Sequence, residues 1–355
     1  MTLDLALAAA AAWFALRLLA AAGLLLAMSG EGLEAPGFLL LVAKPAVFAT
    51  LAAVLLTLTG WSRAKTWGTL GALAALVVAL GSWPAEVQTK TNALGLASLP
   101  ANGDFVFDYA RDANKDGYPP CRFRTNGLGY RDEEPAAAPA KGETRVLLVG
   151  DSFVWGDGIP VNEEILAYLL RGELERRAPG RFRVMSAAYP GLGLYGYGRF
   201  IDELAARYRP GVVVAGYLGE SDHDPYDAQY LLDHLPRRRF ARNLLLNLGA
   251  AQHLHEASAA HFPQIWGSSG NRERFARTLA ELPRKARAGG YRLMFLSYFP
   301  HPDLPEGIEA LDVPEALRYP GRASDLWYAK DFHPKTKLNR MLAKMLAETL
   351  VRKGT

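Results

Sequence analysis

Hydrophobic positions fall into two unlike patterns along the chain. The first 83 residues hold three continuous apolar runs, Leu5–Met28, about Phe38–Leu58 and Trp67–Trp83. Each is long enough to cross a hydrocarbon core of about 30 Å as a helix. From Pro84 to Glu143 the chain turns polar and rich in Gly, Pro and Asn, closing on EEPAAAPAKGE, the composition of a linker. Beyond it, short apolar runs alternate with segments of helical period. Strands are predicted over Arg145–Val149, Phe182–Ala187, Val212–Tyr217 and Arg292–Tyr298, and helices over Glu163–Arg177, Gly198–Tyr208, Arg272–Ala288 and Thr336–Arg352, with a less regular stretch over Asp227–Phe262. Strands that are continuously apolar are buried on both faces, so the pattern predicts an α/β domain with a parallel sheet covered by helices. The expected organisation is a membrane anchor with three transmembrane helices at 1–83, an extracytoplasmic linker segment at 84–143 and a catalytic domain at 144–355. No internal repeat is evident.

A cleaved signal peptide would need a basic start, and Met1–Trp13 has no lysine or arginine. The first connection, GEGLEAPG, has no basic residue, whereas the second, GWSRAKTW, carries Arg63 and Lys65. The positive-inside rule puts that second loop in the cytoplasm and, after three crossings, the carboxyl domain on the periplasmic or extracellular side. Arg17 falls near the middle of the first run, where a lone charge costs about 3 kcal/mol. It either faces another helix, a partner protein or a lipid head group, or snorkels with local thinning. Lys44 lies close enough to an end of the second run to snorkel.

Composition narrows the partners. A 355-residue chain, 50% hydrophobic, has room for one full domain beside an anchor. Its net charge of +4 comes without a long basic run and gives nucleic-acid binding little support. The largest cluster, Arg237–Arg239 with Arg242, is either a solvated face or a contact for anionic lipid or polymer. The single cysteine, Cys121, excludes an intrachain disulfide. Asp112, Asn114 and Asp116, followed by Gly117, have the spacing of the first calcium-loop ligands, but Phe123 stands where a bidentate glutamate is needed. The alternative is an Asx-type turn.

Candidate chemistry gathers where strands end. Gly150-Asp151-Ser152-Phe153 follows the first strand directly, so Ser152 is expected at the carboxyl edge of the sheet, where open α/β sheets carry their sites. A serine nucleophile needs a base and an orienting acid. Asp331 and His333, just before the last helix, can supply both, and in an extended segment an i, i+2 pair shares one face. His301 is the rival base, following the strand RLMFLSYF but without its own carboxylate. His253, His255 and His261 fall in helix-like surface stretches, and His223 between Asp222 and Asp224 has nothing to complete a metal site.

With Gly191 after the second strand, Gly219-Glu220-Ser221-Asp222 after the third and Asp331-Phe332-His333-Pro334 before the last helix, the GDSF segment resembles the SGNH/GDSL hydrolases. The resemblance covers about Thr144 to Leu350. Cys121–Glu134 is similar to the segment preceding the catalytic strand in many membrane-linked bacterial members. It implies a three-layer, flavodoxin-like α/β/α domain, with Ser152 as nucleophile, His333 as base and Asp331 as acid. It also implies an oxyanion hole from the amides of Ser152 and Gly191 and a third block in which Ser221 replaces the family asparagine. No cofactor is implied. The function it implies is a membrane-anchored esterase or O-acyltransferase acting on acetyl or other acyl esters of extracytoplasmic glycans or lipids. The bilayer, and a membrane acyltransferase, would be its partners. The competing expectation is a catalytically weak glycan-binding or scaffold component of a polysaccharide-assembly complex, supported by Ser221 and Arg17.

Overall fold

The computed structural model describes residues 90–110, 115, 117–135, 139–219, 222, 227–234, 242–243, 247, 269–299, 304–313 and 323–353, with isolated helical positions at 75, 78–80 and 82. The chain divides into two compact units. One is Thr89–Gln229 with Phe275–Thr355, and the other is Met1–Gln88 with Tyr230–Arg274. In the latter, the Tyr230 and His234 rings stack at 3.9 Å, and Asn247 Nδ2 donates to the Leu80 carbonyl at 2.7 Å. The greater part of the three predicted membrane spans, with Arg17 and Lys44, lies outside the described residues. Among the described residues no helix is long and apolar enough to cross a membrane.

The stretch expected to be a linker belongs, from Thr89, to the same unit as the sheet. It holds two small antiparallel pairs, β1 (Lys90–Thr91) with β2 (Ala97–Ser98) and β3 (Asp104–Phe107) with β4 (Cys121–Arg124). The reason is visible in β4, where Cys121 and Phe123 are buried while Arg122 and Arg124 are exposed, the alternation of a strand with one face on a core. Phe105 and Phe107 of the partner strand pack against Phe123, and Phe107 also stacks on Trp155.

Five parallel strands follow: β5 (Thr144–Gly150), β6 (Phe182–Ala188), β7 (Val212–Tyr217), β8 (Arg292–Ser297) and β9 (Glu309–Asp312). Their spatial order is β6-β5-β7-β8-β9, with Val146 opposite Val184 on one side and Val212 on the other. The order reverses at β5, making the gap between β5 and β7 a topological switch point. Helices α1 (Ser152–Trp155), α2 (Leu166–Arg177), α3 (Leu194–Tyr208), α4 (Ala228–His234), α5 (Ser269–Gly289) and α6 (Thr336–Arg352) follow in chain order. Val146, Leu148, Val214 and Leu296 share a core with Leu166, Leu170 and Leu174 of α2 and Leu338, Leu342 and Leu346 of α6. Strand residues pointing the other way, such as Leu147, Val213 and Phe295, are equally buried, as a doubly covered sheet requires. An Asp202–Lys285 ion pair of 2.6 Å joins α3 to the carboxyl half of α5.

The four predicted strands and four predicted helices are present with shifts of a few residues at their ends. The fifth strand, β9, was not anticipated. Its EALD sequence is short and half-polar, as an edge strand can be, and lacks the apolar run that marks the others.

Candidate active site

The turn after β5 is built by close packing. Asp151 caps α1, its Oδ1 accepting from the Phe153 amide at 2.9 Å, so that Ser152 opens a single helical turn at the sheet's carboxyl edge. A side chain at Gly150 would place Cβ 2.3 Å from Val154 Cγ2, and one at Gly216 of β7 would lie 2.4 Å from the same methyl. Val154 therefore seats in a notch between the two strands that flank the switch point. The turn ends at Gly156, in the left-handed region with φ of 88°, whose amide donates to the Ser152 carbonyl at 3.0 Å.

The loop beyond it is held from below by Arg131. Its guanidinium is buried, donates to the carbonyls of Gly156 and Ile159 at 2.8 Å each and to Asn162 Oδ1 at 3.1 Å, and lies 5.1 Å over the rings of both Phe123 and Trp155. Cys121 Sγ donates to the same Ile159 carbonyl at 2.8 Å. This loop carries Asp157.

His333 comes from a tight turn before α6. Tyr328 accepts from the Phe332 amide at 3.2 Å and donates its own amide to the His333 carbonyl at 3.0 Å, and the Lys335 amide donates to the Leu326 carbonyl at 2.8 Å. The segment is not extended, as the i, i+2 reading assumed. Phe332, an exposed residue, takes a left-handed φ of 57°, and this kink brings the two flanking polar residues together.

The result is a chain of polar contacts. His333 Nε2 is 2.8 Å from Ser152 Oγ, and His333 Nδ1 is 3.0 Å from Asp331 Oδ2, a contact bent away from the ring N–H direction. Phe153 packs on the imidazole at 4.7 Å between centroids. Asp331 accepts from the Tyr118 hydroxyl at 2.7 Å on each oxygen and pairs with Lys115 Nζ at 2.9 Å. The same ammonium contacts Asp157 Oδ2 at 2.5 Å, and Tyr109 donates to Asp157 Oδ1 at 2.5 Å. Asp157 Oδ2 lies 3.8 Å from His333 Nε2. Ser152, His333 and Asp331 thus stand together, and Lys115, Tyr118, Tyr109 and Asp157 stand around them, unanticipated from sequence.

Electrostatics favour a neutral imidazole beside an ionised acid. Burial, then Lys115, pull His333 below the ordinary imidazole value, against the opposing pull of Asp157 and Asp331. Burial pushes Asp331 up, but the Lys115 and Tyr118 hydrogen bonds outweigh it and its carboxyl sits below the usual range. Beneath the nucleophile turn, burial pushes Asp151 up to about 7 and Asp222 well above the carboxylate range.

Asp222 accepts from the Leu218 amide at 2.6 Å and the Tyr197 hydroxyl at 2.8 Å, which makes the last residue of GESD a brace between β7 and α3. Ser221 lies outside the described residues, as do His223, His253, His255, His261 and His301. Gly191, on the loop after β6, has a left-handed φ of 78°, and its carbonyl accepts from the Ala228 amide at 2.8 Å. Asp112, Asn114 and Asp116 also lie outside the described residues, whereas Lys115 among them reaches the carboxylates. Among the described residues no group of three or more His, Cys, Asp or Glu side chains could hold a metal ion.

A serine hydroxyl in contact with an imidazole that has a carboxylate 3.0 Å from its other nitrogen holds the groups that nucleophilic acyl chemistry uses. No family model and no curated protein matches this chain. Solved structures do align with it. TesA has 20% identity over 58% of this chain and 98% of its own, with a TM-score of 0.37. The psychrotrophic esterase EstA of a Pseudoalteromonas species has 16% identity over 59% and 98%, with a TM-score of 0.36. A GDSL-like lipase from Bacteroides thetaiotaomicron has 13% over 62% and 93%, with a TM-score of 0.35. At these values the likeness assigns no residue a role.

Proposed function

We propose that the chain is a serine esterase or O-acyltransferase of SGNH/GDSL type. Its observation of greatest weight is Ser152 Oγ at 2.8 Å from His333 Nε2 with Asp331 at the opposite ring nitrogen. Ser152 gives its proton to Nε2 as Oγ bonds to the ester carbonyl carbon, and the carbonyl π electrons move to oxygen. In this reading the amides of Ser152 and Gly191 stabilise the developing oxyanion, and one such donor contributes roughly 3 kcal/mol; Ser221, in the family asparagine's place in the sequence, is the third donor that the resemblance implies. Nε2 then returns its proton to the departing alcohol as the C–O bond breaks, and water or a sugar hydroxyl releases the acyl group by the reverse steps.

The three apolar runs support an anchor in the bilayer, with the catalytic domain on the periplasmic or extracellular side. Surface-polymer glycans or lipids carrying acetyl esters are the substrate class that suits this address, and a membrane acyltransferase is the partner that would supply acyl groups for transfer. The test is a fluorophosphonate probe with the full-length protein. An adduct on Ser152, absent from Ser152→Ala, together with turnover of an acetyl ester above that control, is expected; absence of both in folded protein would favour the second reading. That reading, a catalytically weak glycan-binding or scaffold protein, has the serine at 221 on its side. Acetylated glycans assayed beside short-chain lipid esters separate the substrate classes.

A further inference from the structure

We infer that Lys115 is a positioning residue of this site: its ammonium, held between Asp157 and Asp331, fixes one carboxylate beside each ring nitrogen of His333 and keeps Nε2 bare toward Ser152. The inference rests on the esterase reading for its catalytic consequence, and on distances alone for its electrostatic one.

The charged and titratable groups facing the imidazole come from three segments. They are Lys115 and Tyr118 from the lead segment, Asp157 from the loop after α1, and Asp331 from the ring's own turn, with the Tyr328 ring packed behind Tyr118. Asp331 sits at Nδ1, where a carboxylate helps a base. Asp157 sits 3.8 Å from Nε2, the nitrogen that must be free to receive the Ser152 proton. A bare carboxylate there favours a proton resident on Nε2, which would leave the serine without a base. Lys115 answers that carboxylate at 2.5 Å and reaches Asp331 at 2.9 Å.

With Lys115 present, two carboxylates, one ammonium and a neutral ring sum to one negative charge, which becomes zero when the ring accepts a proton. Without it, the ring faces two uncompensated carboxylates and holds its proton in the resting state. Lys115 is itself steadied by the Tyr118 ring, 5.0 Å below its Nζ. Its pull on His333 is opposite in sign to those of Asp157 and Asp331. The residue thus makes the segment before the catalytic strand a working part of the site.

The test uses the full-length protein in detergent, as Lys115→Met and Lys115→Arg. The first readout is the NMR titration midpoint of the His333 ring, assigned by difference against His333→Gln and recorded in a Ser152→Ala background. Lys115→Met is expected to raise this midpoint by about one pH unit, and Lys115→Arg to leave it within about a third of a unit. The second is ester turnover, where Lys115→Met is expected to lower kcat about three- to sevenfold near pH 6 with KM within about twofold, the loss shrinking as pH rises. Asp157→Asn, which keeps Lys115, should move the midpoint the opposite way and serves if Lys115→Met fails to fold. An unchanged midpoint in folded Lys115→Met overturns the inference, as does an unchanged or raised midpoint in Asp157→Asn. Because the titration needs no turnover, failure of the esterase reading, seen as no Ser152 adduct in wild type, is read separately.

Discussion

Asp331 and Asp157 both lie against His333, and which one supports the imidazolium is decided by comparing their asparagine variants. Asp331 Oδ2 is 3.0 Å from Nδ1, with side chains only 18% and 10% exposed. At an effective dielectric near 20, opposite unit charges at that distance attract by about 5 kcal/mol. Lys115, 2.9 Å from the same oxygen, offsets about half of this, so roughly 2–3 kcal/mol remains for the imidazolium that forms as Ser152 attacks. Asp331→Asn should therefore lower kcat by about 30- to 150-fold. Asp157, on the Nε2 side at 3.8 Å, offers no hydrogen bond to an oriented ring, and Asp157→Asn should cost less than about fivefold. The assay is steady-state hydrolysis of p-nitrophenyl acetate by full-length protein, with near-UV circular dichroism to establish native packing. A larger loss in folded Asp157→Asn than in Asp331→Asn would refute the assignment of Asp331 as the acid.

Three further outcomes are expected. Because burial and Lys115 lower the His333 pKa, and the base must be neutral, the acid limb of kcat/KM should have its midpoint below about 6.5, and a midpoint above 7 would contradict the geometry. Gly150→Ala forces a Cβ to 2.3 Å from Val154 Cγ2 and should cost about 1–3 kcal/mol in urea unfolding, with much of that recovered in the Gly150→Ala, Val154→Ala double variant. Arg131→Met leaves the Gly156 and Ile159 carbonyls without this donor and should destabilise by about 3 kcal/mol, read as a lower urea midpoint at unchanged slope.

The parts of this molecule written in continuous apolar runs are legible in the sequence itself. The β5, β6, β7 and β8 strands announce themselves as largely apolar stretches, and a serine placed two residues past the end of β5 lands at the sheet edge. Less legible was how the acid and base meet. Asp331 and His333 suggested an extended pair, yet they converge through a left-handed phenylalanine, a conformation that residue propensity argues against.

Lys115, Tyr118 and Asp157 carried no signal at all, because loop residues recruited across 42 or 213 positions have no periodicity to betray them. DANKDG carries oxygen ligands at calcium-loop spacing, and the cation among them, Lys115, reaches the two carboxylates of the site. The β3–β4 hairpin did have a signal, since DFVF and CRFR both alternate. Neighbouring glycines and prolines masked it as linker composition.

Cys121 gives the lead segment a built-in clock. It is the only sulfhydryl in the chain, has no solvent exposure, and is tied to the Ile159 carbonyl on the loop that bears Asp157. A thiol reagent added to native protein therefore has nothing to react with until the hairpin lifts away, and the rate of its capture counts those departures. Each one would also carry off the neighbouring lysine, so a slow chemical tag, read without substrate, measures how often the site comes apart.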